Sequence, residues 1–164
     1  MVWLKKLNKK KLKLIKVGIP VYNEEKNILN VLNSFKNQSF KEIEVLISDN
    51  YSTDQTPLIV KKFCLDNDNF FYVKPKKKLT SFQNFNFVFK DCQSKYFIWN
   101  SGHDLRSKDY IYNCINYMEK NEDTAICYSK MKEEFSEDFL NCGNELTNLS
   151  FKDYRQFYNK FNYN

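Results

Sequence analysis

Three polar segments hold the side chains that could do chemistry, and each follows a run of apolar residues. They are Tyr22 to Glu25, Asp49 to Thr56, and Asn100 to Asp104. Their carboxylates are the ligand type that hard cations such as Mg²⁺ and Mn²⁺ select. Ligands of an open α/β sheet bind outside the carboxyl ends of its strands. We therefore expect the three segments to converge on one crevice, provided that the apolar runs before them are neighbouring strands.

The pattern along the chain predicts the elements that would position these segments. Short apolar runs predict five strands, at Ile15 to Pro20, Ile43 to Ser48, Phe70 to Lys74, Tyr96 to Trp99 and Thr124 to Ser129. Helical spacing of apolar residues predicts helices at Glu24 to Gln38, from Pro57 onward, at Ser81 to Cys92 and at Lys108 to Lys120. This alternation predicts an α/β fold with a mostly parallel sheet flanked by helices on both faces.

The helix ends and one strand aromatic give finer expectations. Asn23 is predicted to cap the first helix, with Glu24 in its first turn, and Pro57 to take the first position of the second helix. Thr80 or Ser81 could cap the third helix. Trp99 is expected in the core, with a sugar platform as the alternative.

The charge distribution argues against a nucleic-acid partner. The net charge is +6, but residues 1–16 hold seven lysines and no acid, which leaves 19 basic and 20 acidic residues elsewhere. A nucleic-acid binder more often carries its positive charge on the folded surface. The lysine-rich start reads as a solvated tail, with contact to an anionic membrane surface as the open alternative. No apolar run approaches the roughly 20 residues of a membrane span, so we expect a cytoplasmic protein, either free or peripheral to the membrane.

Cysteine usage fits a reducing compartment. The five cysteines are an odd number, are widely spaced and include no CxxC pair. Such a pattern matches neither a disulfide framework nor a zinc site. We expect reduced thiols.

Four motifs in order resemble family 2 glycosyltransferases over roughly residues 15–131. The segment Ile19 to Glu25 (IPVYNEE) looks like the family's opening motif, and Ser48 to Thr56 (SDNYSTDQT) resembles its DDGSxDxT turn. Asn84-Phe85-Asn86 is similar to the Asn-aromatic-Asn that precedes the metal motif, and Tyr96 to Asp104 stands where the family has its DxD-type motif. Each motif alone is a weak signal, but their shared order and spacing make a strong one.

The resemblance implies a GT-A, Rossmann-like fold that binds a nucleotide-diphosphate sugar and a divalent cation, Mn²⁺ or Mg²⁺. It places the following residues in the nucleotide-sugar pocket: Pro20, Tyr22, Asn23, Glu24, Asp49, Asn50, Ser52 and Asn84. Asp49 would accept from an N–H of the base. The alternative for Asp49, Ser52 and Asp54 is that they only form an Asx turn and cap the next helix.

The metal motif departs from the family, because Ser101, Gly102 and His103 stand where aspartates are usual. Asp104 is the first candidate ligand. His103 is the second, since imidazole can bind Mn²⁺, with a structural or surface role as the alternative.

These inferences divide the chain into a basic tail (1–14), a GT-A nucleotide-sugar-binding domain (15–131) and the incomplete start of an acceptor-side region (132–164). The last region matches no motif, so the catalytic residues are unknown and the chain is expected to be truncated. The first hypothesis is an inverting, metal-dependent transferase acting on a glycan or lipid-linked acceptor. The second is a catalytically inactive nucleotide-sugar-binding or partner-binding fragment. The third is a module that binds nucleic acid or a membrane surface through its basic start.

Overall fold

The computed structural model describes residues 13–129 and 146–150, and these form two compact units. The first unit contains residues 13–29 and 42–104, and the second contains residues 30–41, 105–129 and 146–150. Most of the predicted basic tail and of the predicted acceptor-side region lies outside the described residues.

A four-stranded parallel sheet forms the centre of the first unit. Its strands are β1 (Ile15–Val21), β2 (Ile43–Asp49), β3 (Phe70–Val73) and β4 (Tyr96–Trp99), in the order β3-β2-β1-β4. In β1 every residue except Lys16 is buried, which is typical of parallel strands that are covered on both faces. The predicted α/β fold with a parallel sheet is confirmed, and the predicted strand ends differ from the observed ones by at most one residue.

Two helices of the first unit pack on this sheet. Helix α2 (Thr56–Leu65) contacts β2 and β3, and α3 (Ser81–Phe89) contacts β1 and β2. Thr80 caps α3, since its side chain accepts from Gln83 N (3.2 Å) while Gln83 Oε1 accepts from Thr80 N (3.0 Å). This capping box decides between the two caps that the sequence left open. Pro57 is the second residue of α2, one position later than predicted.

The close approach of α3 to β1 depends on Gly18. A Cβ atom at this position would lie 2.6 Å from Val88 Cγ2 and 2.6 Å from Phe97 Cζ. Only a residue without a side chain allows the helix and the neighbouring strand to pack at this distance.

The second unit combines helices with a two-stranded antiparallel sheet. It contains most of α1 (Ile28–Lys36), then α4 (Tyr110–Lys120), and β5 (Thr124–Ser129) paired with β6 (Leu146–Ser150). Residue 146 lies beyond the point where the sequence pattern weakens, and β6 was not predicted.

Gln38 is a wholly buried polar residue that fixes the start of α4. Its Nε2 donates to Ser34 O (3.0 Å) and Ser107 O (2.7 Å), and its Oε1 accepts from Ile111 N (3.1 Å). Satisfying these groups offsets the cost of burying the amide. Nothing in the sequence pattern pointed to this role.

The predicted start of the first helix is wrong. Helix α1 begins at Ile28 rather than at Glu24, and its first turn contains no acidic residue. Asn23 does not cap it, because its φ of 55° is left-handed whereas a cap residue is normally extended, and its Oδ1 accepts from Thr53 N instead (2.8 Å).

The prediction that Trp99 lies in the core is also wrong. Its side chain is 46% exposed, on the short strand β4, and its Nε1 donates to Phe85 O (3.0 Å). It packs edge-to-face against Phe97 and at a tilt against Phe89, with ring centroids 4.8 and 5.1 Å away.

Four cysteines lie in the described residues, and all four are free thiols. Within this part of the chain no helix is long and apolar enough to cross a membrane.

Candidate functional site

The three polar segments meet at the carboxyl edge of the parallel sheet. Val21 and Asp49, the last residues of β1 and β2, lie side by side in register. The next residue, Asn50, donates its N–H to Val21 O (2.9 Å), and Asn100 after β4 donates its N–H to Gly18 O (3.0 Å). The predicted convergence of these segments is therefore confirmed at the level of the sheet.

The loops after β1 and β2 are joined by hydrogen bonds in both directions. Three consecutive amides of the first loop donate to side chains of the second: Asn23 N to Ser52 Oγ (2.9 Å), Glu24 N to Thr56 Oγ1 (2.8 Å) and Glu25 N to Asp54 Oδ2 (3.1 Å). Two amides of the second loop donate back: Thr53 N to Asn23 Oδ1 (2.8 Å) and Gln55 N to Glu25 Oε2 (2.9 Å). We call these two segments, residues 22–27 and 50–56, the interlocked loops; the second includes Thr56, the first residue of α2.

Asp54 is held as a carboxylate by this arrangement. Burial raises the pKa of Asp54, but the hydrogen bonds from Thr56 and from the Glu25 amide outweigh it, so the pKa lies below its ordinary value. Asp54 therefore stabilises the two loops by accepting from the Glu25 and Thr56 amides, which is the structural role that the Asx-turn alternative assigns to it.

Besides Asn23, a second residue of these loops has a left-handed backbone. Tyr51 has a φ of 65°, in the left-handed region that bulky side chains rarely adopt. Its ring lies under the Lys74 ammonium, with 4.2 Å between Nζ and the ring centroid. Such strain is stored where the surrounding structure fixes the loop, and it occurs most often at functional sites.

Asp49 is buried, and both of its oxygens have donors. No part of the residue is exposed; Oδ1 accepts from Ser52 N (3.0 Å) and Oδ2 from Tyr72 Oη (2.8 Å). Burial first, then the hydrogen bond to Asp49 and its charge, raise the pKa of Tyr72, so the hydroxyl stays protonated and donates. Asp49 orients the second loop in this structure, and its contact with a base stays a prediction.

Two predicted pocket residues are clamps between elements. Asn50 both donates to Leu79 O and accepts from Leu79 N, each at 2.8 Å, and so fixes the loop before α3. Asn84 accepts from Ser48 Oγ (2.6 Å) and donates to Ser48 O (3.1 Å), and it is 3% exposed. Whether Asn50 or Asn84 also contacts a ligand stays a prediction.

Tyr22 is the most exposed aromatic of the predicted pocket, at 45%. The Lys78 ammonium lies 4.4 Å from its ring centroid and 3.4 Å from its hydroxyl oxygen. Lys74 and Lys78, which belong to the run KPKKK after β3, were missed by the sequence reasoning. The signal was the lysine run itself, which sits directly after a strand of the same sheet.

The His103 side chain contacts Glu24 of the loop after β1, although the sequence paired it with Asp104 of its own loop. Its Nδ1 lies 2.9 Å from Glu24 Oε1, with His103 58% and Glu24 17% exposed. The Asn100 side chain holds this loop by donating to Ser101 O and Asp104 O, both at 2.8 Å. The structure thus brings together two residues that were predicted for different roles.

The donor atoms for a cation are few at this edge. Within the described ranges, no three His, Cys, Asp or Glu side chains come close enough to hold an ion by themselves. Mg²⁺ sites of phosphate-handling enzymes commonly use one or two protein ligands, with substrate oxygens and waters completing the shell. The His103 and Glu24 pair fits such a partial site, but not a closed protein cage.

A family comparison decides how this arrangement is classified. The family model described as Glycosyl transferase family 2 matches residues 16–162, which is most of the chain. The chain belongs to this family. The resemblance inferred from the four motifs is therefore confirmed, and the GT-A-like sheet described above is the fold that the resemblance implied.

Two kinds of relatives match this family 2 member. Poly(ribitol-phosphate) beta-N-acetylglucosaminyltransferase TarS of Staphylococcus aureus strain Mu50 is 49% identical over 49 residues, which is 29% of this chain and 9% of the relative. Chondroitin synthase of Escherichia coli is 26% identical over 120 residues, which is 73% of this chain and 17% of the relative. The chain therefore spans less than a fifth of either relative.

Solved structures show the same fold. TarS residues 1–349 of S. aureus in complex with UDP superposes with a TM-score of 0.60 and 27% identity, over 67% of this chain and 33% of that one. The same protein in complex with UDP-GlcNAc gives 0.59. Mannosyltransferase PcManGT from Pyrobaculum calidifontis, in complex with GDP-Man and Mn²⁺, gives 0.64 at 19% identity, which shows the fold alone.

Proposed function

We propose that this chain is the nucleotide-sugar-binding part of an inverting, metal-dependent glycosyltransferase. The observation that carries the proposal is the pair of interlocked loops at the carboxyl edge of the parallel sheet, where the family motifs fall. Predicted pocket residues such as Tyr22 and Ser52 lie on these loops, and the Lys78 ammonium lies beside Tyr22. The ammonium groups of Lys74 and Lys78, which lie over the Tyr51 and Tyr22 rings, make this edge suited to a diphosphate.

A uridine nucleotide is the donor that we propose. TarS, which was solved with UDP and with UDP-GlcNAc, is 27% identical to this chain in both comparisons. Tyr22 offers an exposed ring on which a base can stack, and Asp49 offers the carboxylate that would accept from the base N–H. Because Asp49 is buried behind Tyr72, the Tyr72 side chain would shift or share the carboxylate when the base binds.

A divalent cation, Mn²⁺ or Mg²⁺, would stabilise the charge that develops on the departing diphosphate. The sequence prediction places it at Asp104 and His103, and the imidazole of His103 faces solvent at the carboxyl edge. This chain's own residues position the donor. An acceptor hydroxyl on a glycan or lipid carrier would attack the anomeric carbon in line, after a base takes its proton. We assign that base to no residue of this chain.

The lysine-rich first 14 residues support a cytoplasmic placement at a membrane surface. Each lysine near an anionic leaflet contributes about 1 kcal/mol of attraction. A lipid-linked acceptor would be within reach there.

A donor-binding fragment without catalytic activity is the second candidate. Its support is the replacement of family aspartates by Ser101 and His103, together with the lack of a three-ligand cluster among the described residues. Both candidates predict donor binding, and turnover on an acceptor separates them.

Calorimetric titration tests the proposal. UDP, UDP-GlcNAc and GDP-Man are titrated into the chain with and without Mn²⁺, and Lys78→Ala is compared with Lys62→Ala, an exposed lysine on α2. We expect UDP and UDP-GlcNAc to bind, and Lys78→Ala to weaken binding about tenfold while Lys62→Ala leaves it within twofold, since ammonium–phosphate contacts contribute on the order of 1.5–3 kcal/mol. Absence of binding to any nucleotide would overturn the proposal.

A further inference from the structure

Glu24 reaches the loop after β4 from the loop after β1. Its Oε1 lies 2.9 Å from His103 Nδ1, although the two residues are 79 positions apart. The Glu24 backbone is fixed by its N–H, which donates to Thr56 Oγ1 (2.8 Å). The second carboxylate oxygen, Oε2, accepts from Asn27 Nδ2 (3.2 Å). The carboxylate is therefore oriented from behind and presents one oxygen to the imidazole.

The distance between the two atoms suits two neighbouring ligands of one cation. An octahedral ion with metal–ligand bonds of about 2.1 Å has its adjacent ligands about 3.0 Å apart. The His103 and Glu24 atoms already lie at that separation. An imidazole nitrogen with one carboxylate oxygen is a donor set that Mn²⁺ accepts.

Gly102 makes room for the Glu24 side chain. A Cβ atom at position 102 would lie 2.7 Å from Glu24 Cγ and 3.1 Å from Glu24 Cδ. The loop after β4, in which the family's usual aspartates are replaced, thus contains a space at Gly102 that holds the Glu24 side chain. We call this space the cradle, and any side chain at position 102 would fill it. Beside it, Ser101 Oγ is buried and has no hydrogen-bond partner among the described residues, which is unusual for a buried hydroxyl.

A contribution to the stability of the fold does not account for the contact between Glu24 and His103. Ion pairs with an exposed partner contribute only about 0–1 kcal/mol, and His103 is more than half exposed. Replacing either side chain should therefore leave the fold intact.

We infer that Glu24 is a ligand of the divalent cation, adjacent to His103, so that the loop after β1 supplies a carboxylate where the loop after β4 keeps only Asp104. Donor diphosphate oxygens and waters complete the coordination shell. The inference rests on the proposed function for the identity of those phosphates, but the cation site itself can be measured without a nucleotide.

Binding of Mn²⁺ is measured by the loss of the electron paramagnetic resonance signal of the free ion. It is titrated first alone and then with UDP, for the wild type, Glu24→Gln, His103→Gln and the control Glu25→Gln. Glu25 is the matched control because it loses the same charge in the same loop, yet its Oε2 faces Gln55 N and not His103. Unfolding curves check that all four proteins are folded.

We expect Glu24→Gln and His103→Gln to weaken Mn²⁺ binding about tenfold or more, while Glu25→Gln stays within twofold of the wild type. Equal Mn²⁺ affinity of Glu24→Gln and Glu25→Gln would overturn the inference, as would absence of Mn²⁺ binding by the wild type. UDP binding to the wild type, measured by calorimetry with saturating Mn²⁺, reports the proposed function separately. If UDP fails to bind while Mn²⁺ binding depends on Glu24, the cation site stands and the donor proposal falls.

Discussion

Tyr72→Phe tests whether the buried carboxylate of Asp49 organises the site. The substitution removes only the hydroxyl that donates to Asp49 Oδ2 at 2.8 Å. The phenyl ring keeps its packing, so the change isolates one hydrogen bond. Because Asp49 is wholly buried, water cannot replace the lost donor without a rearrangement of the loop.

The expected cost follows from the kind of bond that is lost. A hydrogen bond to a charged group contributes about 1.5–3 kcal/mol, and an unsatisfied buried acceptor costs a similar amount. Tyr72 itself is partly exposed, which favours the lower end of this range. We therefore expect Tyr72→Phe to lower the free energy of unfolding by about 2 kcal/mol.

A double-mutant cycle with Asp49→Ala separates this contact from other effects. Urea unfolding, followed by circular dichroism, gives the free energies for the wild type, both single variants and the double variant. We expect a coupling energy of about 1–2 kcal/mol between the two positions. Lys61→Ala is the control, since its ammonium lies over the same Tyr72 ring at 5.0 Å from the centroid. A coupling energy below about 0.5 kcal/mol would refute the organising role of this pair.

Three further predictions concern other parts of the chain. Asn84→Ala should destabilise the protein by about 2–4 kcal/mol in urea unfolding, because it orphans both Ser48 groups; a loss below about 1 kcal/mol would contradict the clamp. Burial, then Cys114, raises the pKa of Tyr110 to about 12. The stability that comes from the raised pKa of Tyr110 is fully present below the ordinary pKa of about 10 and is lost as the pH rises toward 12. The free energy of unfolding of the wild type should therefore fall by up to about 3 kcal/mol relative to that of Tyr110→Phe over this range; parallel stability profiles of the two proteins would exclude this. Gly102→Ala should displace the Glu24 side chain and weaken Mn²⁺ binding, and unchanged affinity in the resonance titration would refute the cradle.

The sheet could be predicted because its signals are local and redundant. Runs of β-branched residues in β1 and β2 are typical of parallel strands covered on both faces, and the polar residues after such strands share one edge. The family motifs added the order of the loops. Strand β6 was missed because it is defined by its antiparallel pairing with β5, which the residues of β6 do not indicate by themselves.

The details of the site depend on contacts between distant residues, which a pattern cannot reveal. Asn23 has the residue type of a helix cap, but the second loop captures its side chain and leaves it in a left-handed conformation. Asp49 has the position of a ligand-binding carboxylate, yet Tyr72 occupies one of its oxygens. The Glu24 and His103 contact joins two motifs that the sequence assigns to different tasks. In each case the partner lies more than 20 residues away.

The interlocked loops have a consequence for the energetics of ligand capture. Five hydrogen bonds already fix the backbone of both loops, so little conformational entropy remains to be lost when a donor binds beside them. The free protein is preorganised, and a nucleotide should meet a surface whose backbone scarcely rearranges. The same bonds make the two loops open together, because each closes the other. The Glu24 and Thr53 amides should therefore exchange their hydrogens slowly and with one common protection factor, which is the behaviour of a core element rather than of two surface turns.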